Sequence, residues 1–143
     1  MIEFFSDTDF IFPEVSIVQI EPVVQQIFTD YTKQVNYLHV VFMDDEQLLE
    51  INKEFLNHDY YTDIITFNYA EDDSIEAELY ISISRVKENA LTVGSTFQNE
   101  LFRVIIHGVL HLCGYEDNTE TLKNIMQLAE NKYINAIVSR ETI

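Results

Sequence analysis

ELFRVIIHGVLHLCGYED, residues 100–117, is the stretch on which the reading of this chain turns. Apolar residues (Val104, Ile105, Ile106, Val109, Leu110, Leu112) surround two histidines, and the spacing reads as a helix near the C-terminus. His107 and His111 are four apart, so on a helix they stand about 40° apart and roughly 6 Å along the axis. Two imidazoles so placed converge on one tetrahedral ion. A catalytic zinc ordinarily takes three protein ligands plus water, and Glu116 and Asp117 follow at once. Gly114 can adopt the left-handed conformation that ends a helix and turns the chain back, so either carboxylate can face the histidine pair. Burying two imidazoles without partners is costly, and a pair at this spacing also has a purely structural reading; the Gly-ended helix followed at once by carboxylates favours the ligand role.

The same stretch narrows the chemistry. Metalloproteases of the H-E-x-x-H type carry a glutamate after the first histidine as general base, and here that position is Gly108. Ordinary zinc proteolysis is therefore disfavoured. Glu100 and Arg103 fall within about 40° of the His107 direction, one to two turns back. Glu100 is a candidate to order a ligand or a water, with a plain surface charge as the alternative. Arg103 is a candidate catalytic group for meeting an anionic substrate, with the same alternative. Cys113 points away from the pair and reads as a small buried filler. His39 reads as a structural residue within a strand. His58, in the loop NHDYYTD, is either exposed or brought to the metal centre by its loop, and is the second catalytic candidate.

Outward from the helix, IEFF at the start reads as a short strand, and residues 15–34 carry a near-helical stripe interrupted by Pro22, expected to kink or start that helix. YLHVVFM (37–43) is a strand, rich in β-branched and aromatic residues. Asp44 or Asp45 then caps a helix through EQLLEINKEFL. DIITFNY (63–69) and ELYISI (78–83) are further strands, joined by the acid-rich AEDDSIEAE as an exposed hairpin connection. From Ser84 the chain reads as helical almost to its end, with breaks at Gly94–Ser95 and Gly114. Strands first and helices last predict an α+β fold. A small mixed sheet of about four strands would lie under helices in a single domain over residues 1–143.

Composition sets the limits. Apolar residues make up 47% of the 143, enough to bury a core, and the one cysteine excludes an internal disulfide and fits a reducing cytosol. No basic leader or run of about 20 apolar residues is found, so a soluble cytoplasmic protein without membrane contact is expected. The formal charge of −17 repels phosphate backbones. It predicts weak RNA binding by the isolated chain, steeply reduced by salt.

Two motifs carry a resemblance. HGVLHLCGYED is similar to the signature H-G-x-L-H-L-x-G-Y-D-H of the YbeY family of single-strand-specific endoribonucleases and ribosomal RNA maturation factors. INKEFLNHDYYTDIITF resembles that family's L-N-x-x-Y-R-x-x-D-x-x-T-D-V-L-S-F, and the order of the motifs agrees. The resemblance implies an α+β fold and one zinc per chain, with another divalent metal as the alternative. It also implies hydrolysis of RNA phosphodiesters, with ribosomal RNA, the ribosomal subunit and ribosome-associated proteins as partners. His107 and His111 fall on the first two metal ligands, and Asp117 stands where the family has a third histidine. A carboxylate also ligates zinc, but it lowers the formal charge of the site from +2 to +1. Leu56 replaces the family's arginine, a natural phosphate clamp. Ala77, Glu78 and Leu79 replace the strand's G-D-I. Thr62 and Asp63 match the family's T-D and are expected to brace the site. The rival readings are a ribosome-associated maturation factor with a structural metal and, less favoured, a metallopeptidase.

Overall fold

The computed structural model describes residues 1–141, and side chains through Ile137. The expected continuation of helix beyond 141 lies outside the described residues. Strands β1 (Ile2–Ser6), β2 (Val35–Met43), β3 (Ile64–Asn68) and β4 (Ile75–Ser82) form one sheet in the order β1-β2-β4-β3. β1, β2 and β4 run parallel, and β3 is antiparallel to β4 at one edge. The parallel pairs need crossovers, and helices α1 (Glu14–Asp30) and α2 (Asp45–Leu56) lie on those connections. Helices α3 (Ile83–Val93), α4 (Phe97–Leu112) and α5 (Glu120–Glu141) follow. The α+β class and mixed four-stranded sheet agree with the sequence. Strands and helices interleave in the first half, however, where a strands-first order was expected.

Alternation along the strands sorts the core. Leu38, Val40 and Phe42 of β2 and Ile75, Ala77, Leu79 and Ile81 of β4 are all buried on one face, against α1, α3, α4 and α5. On the other face α2 covers a smaller cluster built on Met43, Leu48 and Ile65. The β3–β4 connection is shorter than expected. Ile75 is buried and already belongs to β4, and Asp72 Oδ1 accepts from Ser74 N at 2.9 Å to close the turn. Asp44 caps α2 with a reciprocal box, its carboxylate accepting from Gln47 N at 2.7 Å while its own N–H donates to Gln47 Oε1 at 3.1 Å. Pro22 neither starts nor ends α1. The carbonyl it leaves unpaired belongs to Val18, a residue exposed to solvent. Among the described residues no helix is long and apolar enough to cross a membrane.

Candidate metal centre

Helix α4 is buried on every side but one. Leu101, Phe102, Val104, Ile105, Ile106, Val109 and Leu110 are in the core, and His107 and His111 occupy the half-buried stripe that remains. Gly108 lets α4 lie directly on the sheet. A Cβ there would stand 2.7 Å from Ile64 Cδ1 and 3.0 Å from a Leu79 methyl. The helix closes in a Schellman arrangement, with Gly114 N donating to the His111 carbonyl and Tyr115 N to the Leu110 carbonyl, each at 3.0 Å. Gly114 takes φ 105°, the left-handed turn expected of it. The chain reverses there and delivers Asp117, not Glu116, to the histidines.

His107 Nε2 and His111 Nε2 are 3.0 Å apart, and Asp117 Oδ2 lies 3.4 Å from the first and 3.7 Å from the second. Each ring's other nitrogen is committed. His111 Nδ1 donates to the Tyr115 carbonyl at 2.8 Å, and His107 Nδ1 to the Glu130 carboxylate at 2.6 Å. With both Nδ1 atoms acting as donors, neutral rings turn two Nε2 lone pairs toward each other and toward a carboxylate. That contact is repulsive unless a proton or a metal ion lies among the three atoms. A tetrahedral ion with bonds of about 2.0–2.1 Å separates its ligand atoms by roughly 3.3 Å, within the spread observed. The donor set therefore fits a divalent metal.

Glu130, buried on α5, is the residue the sequence reading missed. It sits on the same helix face as Met126, Ala129, Tyr133 and Ile137, all in the core, so an acid within an apolar stripe was the available signal. Burial opposes a charge on His107. The Glu130 hydrogen bond and the charges of Glu130, Asp117 and Asp63 outweigh that, holding the imidazole above its ordinary value.

Arg103 does not enter the site. Its guanidinium donates to Glu130 Oε1 at 2.9 Å and to Asn131 Oδ1 at 2.8 Å, so it grips α5 on the far side of His107. Glu100 is buried rather than a surface charge, and burial pushes its carboxyl up. Asp63 is also pushed up by burial, and Asn89 donates to it at 3.2 Å, tying the residue that leads into β3 to α3. His39 lies edge-on to Phe5 in the sheet, and Cys113 packs half-buried against the core. The histidine pair opens onto a cleft of about 720 Å³, lined also by Asn52, Leu56, His58, Tyr60 and Asp63. His58 is thus brought to the triad's cleft.

Fold and triad together define the class: an α+β protein with a candidate two-histidine, one-carboxylate metal site on an open cleft, the arrangement of a metal-dependent hydrolase. The family described as Endoribonuclease YbeY matches residues 10–138, and the chain belongs to that family. It is 43% identical to endoribonuclease YbeY of Bacteroides thetaiotaomicron over 76% of this chain and 80% of that one. It is 44% identical to that of Phocaeicola vulgatus over 81% and 83%. The solution structure of TM1509 from Thermotoga maritima superposes with a TM-score of 0.70 at 26% identity, covering 99% of this chain and 92% of that one.

Proposed function

We propose that this chain is a metal-dependent, single-strand-specific endoribonuclease that acts in ribosomal RNA maturation in the cytoplasm, with zinc held by His107, His111 and Asp117. The observation that carries the reading is the convergence of two Nε2 atoms and one carboxylate oxygen on the cleft, with both Nδ1 atoms already bonded elsewhere. A divalent ion held there supplies Lewis acidity for phosphodiester hydrolysis.

Hydrolysis joins a water oxygen to phosphorus and releases a ribose oxygen, so one proton must leave and another must be delivered. His107 and His111 are fully committed as ligands. Asp63 is buried and held by Asn89. His58 on the cleft rim is the imidazole left for proton exchange, its Nδ1 paired with Tyr60 Oη and its Nε2 uncommitted in the ligand set. Arg103 acts indirectly, by holding Glu130 against His107. Thr62 and Asp63 brace the wall of the cleft.

The test is metal content by elemental analysis, followed by cleavage of single-stranded RNA by the loaded protein. About one equivalent of metal and metal-dependent cleavage are expected; metal-independent cleavage, or none after reloading with Zn²⁺ or Mn²⁺, would sink the reading. A second reading, a ribosome-associated factor with a structural metal and little nuclease activity, draws on the formal charge of −17 and on Leu56 in the cleft. Full metal occupancy with no turnover would select it.

A further inference from the structure

The cleft beside the triad lacks what RNA channels ordinarily use. None of the fourteen described residues that line it is lysine or arginine, in a chain of formal charge −17. Within this cleft no basic side chain is available to neutralise the phosphates of a substrate strand, and Lys123 lines a neighbouring pocket that shares His107 and Asp117.

The rim offers something else. Tyr60 and His58 line the cleft with their rings nearly parallel, 20° between planes and 5.1 Å between centroids. Tyr60 Oη and His58 Nδ1 are hydrogen-bonded at 2.9 Å, and Tyr60 is 55% exposed. The pair is not a loose loop tip. Asn52, 1% exposed, donates from Nδ2 to the Tyr60 carbonyl at 2.9 Å, and its own carbonyl accepts from His58 N at 3.0 Å. Between them Asn57 takes the left-handed conformation, φ 57°, that turns the chain out of α2. One buried residue on α2 thus holds both ends of an aromatic plate at the mouth of the metal cleft, the Tyr60 end by its side-chain amide and the His58 end by its main-chain carbonyl.

We propose that the Tyr60–His58 plate is a base-stacking platform that holds one nucleobase of single-stranded RNA beside the metal triad. The inference rests on the nuclease reading above and says how that substrate is gripped. Aromatic stacking suits any base, because each has a π-face, and it needs no cation. It also selects single strands, since a paired base is stacked on its neighbours and not free to meet the plate. Binding by stacking is expected to vary only shallowly with salt, where the sequence reading expected a steep loss.

The test uses the metal-loaded protein and a short single-stranded 2′-O-methyl oligouridine that resists cleavage, beside a backbone of equal length carrying abasic positions. Wild type is expected to prefer the based strand by about 5- to 150-fold, the range for losing one stacked base. The slope of log affinity against log salt should be no steeper than about −1.5, equivalent to two neutralised phosphates. Tyr60→Ala is expected to lose that preference while keeping its metal, and Tyr60→Phe, which retains the ring, to keep it. Equal binding of based and abasic strands, or a Tyr60→Ala protein that binds like wild type, overturns the platform and leaves the nuclease reading standing. A wild type that neither binds this strand nor cleaves ordinary RNA overturns both.

Discussion

Glu130 of α5 accepts the 2.6 Å hydrogen bond from His107 Nδ1, so the last helix decides which nitrogen of this candidate ligand on α4 faces the cleft. Its other oxygen is held by Arg103, which keeps the carboxylate in place. Outer partners of this kind typically change metal affinity 10- to 100-fold. Glu130→Gln is expected to weaken zinc binding by about that factor, read by competition with a chromogenic chelator, with an unaltered circular dichroism spectrum. Unchanged affinity would mean the imidazole is oriented without it.

On the proposed metal reading, Asp117 is expected to control both occupancy and metal preference. Asp117→Ala is expected to lose most of one metal equivalent, because two imidazoles alone make a weak site. Asp117→His restores a third ligand and raises the formal charge of the site from +1 to +2. It is expected to favour zinc over manganese more strongly than wild type, since removing a carboxylate removes the harder ligand. Competition of the two metals for each protein checks this, and an unchanged ratio would count against the carboxylate as a ligand.

The sequence carried the local half of this site. His107 and His111 are legible because helical spacing alone makes them neighbours, and the turn at Gly114 brings in a carboxylate within three residues. It left Glu116 and Asp117 undecided until the resemblance was applied, because the choice depends on how the turn leaves Gly114. Glu130 and the true orientation of Arg103 depend on α5 folding back over α4, a contact that no periodicity in α4 specifies. The sheet follows the same division. Its strands are written in β-branched alternation, whereas the order β1-β2-β4-β3 follows from helices crossing over on both faces. Glu100 was misjudged for a related reason: its burial comes from neighbouring elements.

Gly108 sets how closely α4 approaches β3 and β4. Alanine adds a methyl 2.7 Å from Ile64 Cδ1 and 3.0 Å from a Leu79 methyl, a clash of the kind that costs about 1–3 kcal/mol. Its better helix propensity offsets about 1 kcal/mol of that. Gly108→Ala is expected to be mildly destabilising, and Gly108→Val worse by at least about 1 kcal/mol, in urea titrations. Because Ile64 also lines the cleft, the valine protein should bind metal less tightly as well. Wild-type stability in both variants would show that the helix has room to move.

Cys113 sits half-buried at the end of α4, and burial pushes its thiol up to about 11, against a small opposing pull from Lys33. The thiolate is the reactive form, so the folded protein holds less of it than the unfolded chain at any pH between about 7 and 10. Alkylation of the native protein should keep rising about tenfold per pH unit across that range, while the urea-unfolded chain levels off above about pH 8.5. A native profile that levels off with the unfolded one would remove burial as the controlling factor.

Leu56 lines the cleft and is 39% exposed, so its position has both access to a bound strand and room for a longer side chain. Leu56→Arg would add the only lysine or arginine among the described lining residues. A guanidinium there can pair with one phosphate, and one such contact on a single strand steepens the slope of log affinity against log salt by about 0.7. The variant is expected to bind single-stranded RNA about tenfold more tightly at low salt, and to converge on wild type as salt rises and screens the added charge. A gain that persists at high salt would point to contacts other than phosphate pairing. If affinity and slope both stay at wild-type values, the strand's phosphates do not pass this position, and the path of RNA across the cleft must run on the His58–Tyr60 side.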